Sequence, residues 1–225
     1  MGAAQGQIEP MLGLLAQGTS TTVKLFLLLT VLSFASAALI CLTSFTRIII
    51  VLSFLRQALG TPQLPPNQVL IGLSLFLTMF VMGPTLTELN DRALSPFLDD
   101  KITHTQAANE AGEVIRAFLL SHTREEDLRV FYEVSNTPRP SRHDEIPLKI
   151  AAPAFMISEL TTAFQMGLYI FIPLLLVDLL VSSVLMALGM MMVPPMVVSL
   201  PLKIAVFLMA DGWRLIITAL AQSFG

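Results

Sequence analysis

Charged side chains inside long apolar runs are the first places in this chain where chemistry could reside. They are Arg47, Glu159, Asp178 and Lys203, with Asp211 and Arg214 following shortly after. A charge in an apolar run is costly unless it is paired or wetted, so each is a functional candidate. Glu159 and Lys203 carry opposite signs on different segments. They fit a salt bridge within one chain, a contact between neighbouring copies, or two unrelated charges near a membrane surface, and spacing alone does not choose. Asp178 has no second acid beside it, which favours a structural hydrogen bond over proton transfer. Asp211 and Arg214 are spaced i,i+3 and can satisfy each other.

The second unusual feature is Leu188-Gly-Met-Met-Met-Val-Pro-Pro195. Three consecutive methionines, Met190, Met191 and Met192, cannot share one face of a helix, and the flanking Gly and Pro predict an irregular backbone. Methionine is flexible and polarizable and adapts to partners of changing shape. A ring of such loops would form a deformable apolar seal, closed to ions by dewetting. The plainer reading, methionines filling gaps in a core, stands beside it.

Other chemistry is weakly signalled. The single cysteine, Cys41, excludes an internal disulfide and reads as inert packing. His104, His122 and His143 are far apart, lie in no HExxH pattern and read as surface residues, so no metal site is expected. The sequence has no phosphate-binding Gly-rich loop, no Gly-x-Ser-x-Gly elbow and no clustered carboxylates. Neither enzymatic activity nor a cofactor is expected.

Composition says what positions these residues. Of 225 residues, 54% are hydrophobic and 13% charged, with a mean hydropathy of +0.74. Soluble domains carry about 25% charged residues, so the apolar surplus must face lipid or other subunits. The net charge of −3 argues against a nucleic-acid partner. Residues 1–22 lack a basic n-region, the first cation being Lys24, and read as an N-terminal segment left after signal removal.

From Leu25 to Thr46 there is no charge, enough to cross a hydrocarbon core of about 30 Å. The pattern runs on through Arg47 to Leu55, and one helix of that length, about 45 Å, must tilt, break or pack against protein. Gly60, Pro62, Pro65 and Pro66 predict a turn, and a second uncharged run follows from Gln68 to Thr87. Residues 23–87 are thus expected to form a first apolar helical hairpin.

Residues 88–150 differ. Between Glu88 and Lys149 lie twelve of the sixteen acidic and eight of the thirteen basic residues. Apolar residues from Ile102 to Leu119 recur at helical spacing, and Thr123-Arg-Glu-Glu126 has capping-box form. A small water-facing helical domain is expected, its helices leaning on each other or on neighbouring subunits. Residues 151–225 are expected to form a second apolar hairpin, interrupted by Asp178 and Lys203 and divided at Gly189, Pro194 and Pro195, with a less apolar tail carrying Trp213. Arg47 and Arg56 flank the first turn, which favours a cytoplasmic turn and a periplasmic middle domain. The fold class is therefore all-α membrane protein: long apolar helices in two hairpins with a small helical periplasmic domain between them.

Several motifs together carry a resemblance. Thr43-Ser-Phe-Thr-Arg47-Ile-Ile-Ile-Val, Leu55-Arg-Gln-Ala-Leu-Gly-Thr-Pro62, Pro65-Pro-Asn-Gln-Val-Leu-Ile-Gly72 and Phe80-Val-Met-Gly-Pro84 are of this kind. So are Thr123-Arg-Glu-Glu-Asp-Leu128, Ser158-Glu-Leu-Thr-Thr-Ala-Phe-Gln165, Phe171-Ile-Pro173, the Val184–Pro194 stretch and Asp211-Gly-Trp213. From about Leu25 to Phe224 the chain resembles the FliP family of flagellar biosynthesis. It also resembles the related SctR proteins of virulence type III secretion, with Thr123–Leu128 and Arg56–Pro62 tilting towards the flagellar branch.

The resemblance implies a core subunit of the flagellar type III export gate in the bacterial inner membrane. It implies about five copies, joined to FliQ and FliR with FlhB associated, around a channel for unfolded export substrates. It further implies that Met190, Met191 and Met192 form a gasket around the closed pore, and that Glu159 and Lys203 meet between neighbouring subunits. Thr161 stands where members usually have Lys, so the charge network here is expected to be smaller.

Overall fold

The computed structural model describes residues 40–61, 63–136, 145–190 and 192–224, with isolated positions elsewhere. The expected N-terminal segment 1–22 lies outside the described residues, as does most of 23–39. The chain divides into two units, residues 1–40 and 41–225, and the second holds every element below.

Among the described residues all regular structure is helical. The expected overlong first helix is interrupted before Arg47. At Leu42–Ser44 the backbone turns, and the Thr43 hydroxyl accepts from the Phe45 N–H at 3.3 Å, offering the chain a local alternative to the helical bond. Helix α1 then runs Phe45–Ala58 and α2 runs Asn67–Val81. Arg56 spans the turn between them, donating to Asn67 Oδ1 at 2.5 Å.

After a sharp bend come α3 (Gly83–Leu89), a π-helical turn (Asn90–Leu94) and α4 (Ser95–Leu98); the two halves of this α2–α4 path meet at 59°. Helices α5 (His104–Ser121) and α6 (Glu125–Ser135) form the rest of the charged region. The expected capping box at Thr123 is absent. Helix α6 does start there, but the Thr123 hydroxyl donates to the Leu119 carbonyl at 2.6 Å. The capping box sits instead at the start of α5, between Thr103 and Gln106.

Helix α7 is the organising element, running Leu148–Ala187 for 40 residues, about 60 Å. That is twice a hydrocarbon core, so part of it must lie outside lipid. Its first turns bury Ile150, Ala151, Ala154 and Phe155 against Phe118, Leu119, Leu128 and Tyr132 of α5 and α6. The charged region is thus not a self-standing core: it borrows its apolar wall from α7. Further along, Ala163 and Leu174 of α7 meet Ile48, Val51, Leu52 and Leu55 of α1. A Cβ on Gly167 would lie 2.7 Å from the Phe54 ring, so only glycine permits this close approach of α1.

Helices α8 (Pro195–Met209) and α9 (Gly212–Gln222) complete the unit, bent by 62° at Ala210–Asp211. The expected tail is in fact a core helix. Gly212, Ile216 and Leu220 form a buried i,i+4,i+8 stripe, Gly212 against Phe207 of α8 and the other two in the cluster that holds α1, and burying each large side chain contributes about 1.5–3 kcal/mol. Helix α7 is long and apolar enough to cross a membrane, and each of the two bent pairs could serve as one further span.

Candidate functional site

Arg47 sits on the face of α1 turned towards α7. Its Nε donates to Glu159 Oε2 at 2.8 Å and its Nη2 to Oε1, forming a two-point ion pair with both side chains almost wholly enclosed. The remaining guanidinium nitrogen, Nη1, donates to the Ser223 carbonyl at 2.8 Å and the Ser223 hydroxyl at 2.9 Å, and the Phe224 ring lies 3.7 Å from the guanidinium carbon. Three segments far apart in sequence meet on one cation. The planar fork of arginine matches a carboxylate as a lysine would not.

Lys203, on α8, makes a second cluster. Its ammonium pairs with Asp178 of α7 at 2.5 Å and donates to the carbonyl of Ala58, the last residue of α1, at 2.9 Å. The charged hydrogen bond to a helix-terminal carbonyl is favourable, because the last turn has no intrahelical donors left for its carbonyls. The Asp178 side chain is one-third exposed, so this pair is less enclosed than that of Arg47 and Glu159.

Within one chain, therefore, Glu159 and Lys203 are not partners. Nineteen residues of α7 separate Glu159 from Asp178, about 28 Å of helix, so a lysine held at Asp178 cannot also reach Glu159. Asp211 and Arg214 are not buried charges on this chain either. They lie 3.8 Å apart with side chains 66% and 81% exposed, because the buried stripe of α9 passes through Gly212 and Ile216 and leaves them outside it.

The methionine loop follows a Schellman motif. Gly189 adopts φ +72°, its N–H bonds to the Met186 carbonyl, and the Met190 N–H bonds to Leu185 at 2.9 Å. A turn from Met190 to Val193 leads to Pro194, and Pro195 opens α8 at the position where a missing N–H costs nothing. Met190 is 44% exposed and Met192 95%, so on this chain neither fills a core gap. Met191 lies outside the described residues.

Two of the motifs turn out to bind each other. Arg124 donates its backbone N–H to Ser158 Oγ at 2.9 Å and its Nη2 to Thr162 Oγ1 and Gln165 Oε1 at 3.1 and 2.8 Å, while Ser158 donates to Asp127. Helix α6 is thereby capped from α7 instead of by its own Thr123. Complementary donors and acceptors in the two motifs were the available signal, but nothing in their spacing paired them.

His122 departs from the surface reading. It is half-buried, stacked beside Phe118 and Phe224, with Nε2 3.3 Å from the Phe224 carbonyl. His104 is exposed as expected and His143 lies outside the described residues. Cys41 is a half-buried free thiol. No cluster of metal-ligating side chains occurs among the described residues.

These features define an all-α membrane protein whose apolar helices are joined by ion pairs and whose α7–α8 connection is an exposed methionine loop. Comparison with known proteins makes this specific. The FliP family matches residues 28–220, and the chain belongs to that family. It is 53% identical over 208 residues to the flagellar biosynthetic protein FliP of Bacillus subtilis (strain 168), covering 92% of this chain and 94% of that one. The proteins of the same name from Pectobacterium carotovorum subsp. carotovorum and Aquifex aeolicus (strain VF5) are 52% and 45% identical, over 92% and 90% of this chain and 81% and 86% of theirs. The chain thus belongs with flagellar biosynthetic proteins and not with enzymes.

Proposed function

We propose that this chain is a core subunit of the flagellar type III protein-export gate in the bacterial inner membrane. Several copies, joined by FliQ and FliR with FlhB associated, surround a channel through which unfolded flagellar proteins pass. The helices act as two apolar hairpins, α1 with α2 and α7 with α8, and the charged region between them faces the periplasm. Met190, Met191 and Met192 of each copy form an apolar gasket that closes the pore to ions and deforms around a passing chain. Between copies, Glu159 meets Lys203 of a neighbour; because both are enclosed within the single chain, this contact forms only where assembly opens their in-chain pairs.

The observation that carries this reading is the methionine loop. In a member of a flagellar biosynthesis family, a rigid Schellman turn and two prolines hold flexible thioethers at the tip of a helix pair, where the chain itself leaves them uncovered. A seal needs that combination of fixed base and adaptable tip.

The test replaces Met190, Met191 and Met192 together with Ala. The complex is expected to assemble at its normal yield while ion conductance through the closed pore rises. Unchanged conductance in a fully assembled complex would refute the gasket.

A further inference from the structure

The Lys203 cluster lies at a particular height on the α7–α8 pair. Asp178 is ten residues before Leu188 and Lys203 nine residues after Pro194, so the ion pair joins the two helices about 15 Å below the loop on both sides. Above it the pair has little to hold it beyond the contact of Leu200, near its base, with Gly60. Among the described residues from 179 to 202, Val181, Leu185 and Ser199 are buried and most others are exposed. The hydroxyls of Ser182 and Ser183 bond back into their own helix, and a Cβ at Gly189 would meet no atom within 4 Å.

At the level of the ion pair the situation reverses. Lys203 reaches the Ala58 carbonyl, where α1 ends, and Leu200, about one turn nearer the loop, rests against Gly60 in the turn that follows. Helix α1 is in turn the most deeply buried helix, with Ile48, Val51, Leu52 and Leu55 fully enclosed. One ammonium therefore connects both legs of the loop to the most deeply buried helix among the described residues.

The geometry points to Lys203 as the positioning residue of the methionine loop: by binding Asp178 and the Ala58 carbonyl together, it fixes the height and direction of the Met190–Met192 tip relative to α1. It touches neither the loop nor anything passing it, and acts by denying the two legs independent movement. As a device of the gate, this rests on the loop being the gasket proposed above; as a statement about how the loop is held, it does not.

The experiment uses the full chain in lipid nanodiscs, with Cys41→Ala removing the native thiol and a spin label at Met192→Cys. Lys203→Met is expected to raise label mobility about threefold, Lys203→Arg to restore most of the order, and Asp178→Asn to give an intermediate value. A second label at Ala108→Cys, exposed on α5, should be unmoved. Equal loosening at both labels would mean general destabilisation and would overturn the positioning role, as would an unchanged label at position 192. Should Lys203→Met fail to fold, Asp178→Asn, which keeps the bond to Ala58, decides by the same criteria. Ion leakage of the assembled complex separates the two ideas. A loosened loop with no added leak upholds the positioning role and refutes the gasket. Added leak with an unmoved loop refutes the positioning role alone.

Discussion

Arg47 and Glu159 lie 112 residues apart in sequence, yet they form a two-point ion pair whose side chains are 4% and 0% exposed. Enclosing two charges costs several kcal/mol each, and only good geometry with additional hydrogen bonds recovers it. Here four of the five N–H donors are used, two on Glu159 and two on Ser223.

Breaking this pair one side at a time should be more harmful than removing it whole. Glu159→Gln or Arg47→Met is expected to destabilise the folded chain by about 3–5 kcal/mol, whereas Arg47→Met with Glu159→Leu should recover most of that loss. Denaturant titration in detergent measures it. Equal damage from the double variant would show that the pair contributes net binding beyond mutual neutralisation.

The proposed contact between copies makes a separate prediction. In a double-mutant cycle of Glu159→Gln and Lys203→Met, read as the yield of assembled complex, a direct contact should give a coupling of at least about 0.5 kcal/mol. Strict additivity would mean that each residue serves its in-chain partner alone.

The close crossing of α1 and α7 can be tested by exchanging volume. Gly167→Ala places a methyl 2.7 Å from the Phe54 ring and should cost about 1–3 kcal/mol. Adding Phe54→Leu should return part of it. No relief in the pair would place the strain elsewhere along α7.

The α6–α7 junction predicts a local effect. Ser158→Ala removes the acceptor for the Arg124 N–H and the donor to Asp127, and should cost about 1–2 kcal/mol. Hydrogen exchange should speed up in the first turn of α6 before it does so in α5. Uniform acceleration across both helices would contradict trans-capping.

How far these features could be read from sequence depends on their range. Local signals were legible: Gly189 with Pro194 and Pro195 marks the loop, and the Gly60–Pro66 cluster marks the α1–α2 turn, because turn chemistry acts over a few residues. Arg47, Glu159, Asp178 and Lys203 were recognisable one by one, since any charge in an apolar run demands a partner. Their pairing was not, because it depends on which turn of a 40-residue helix faces which neighbour. The cap of α6 failed for the same reason: Ser158 outcompetes Thr123 from 35 residues away. The tail was misjudged because Asp211 and Arg214 dilute its composition, whereas burial follows the Gly212–Ile216–Leu220 stripe.

The long loop closed by the Arg47–Glu159 pair has a consequence for how the chain is made. Translation proceeds at about 5–20 residues per second, so Arg47 emerges on the order of ten seconds before the carboxylate that neutralises it, and Ser223 later still. A nascent α1 therefore carries an orphan cation until α7 is delivered. The contacts that anchor α1 are thus completed only when the far end of the chain, Ser223 included, has been made.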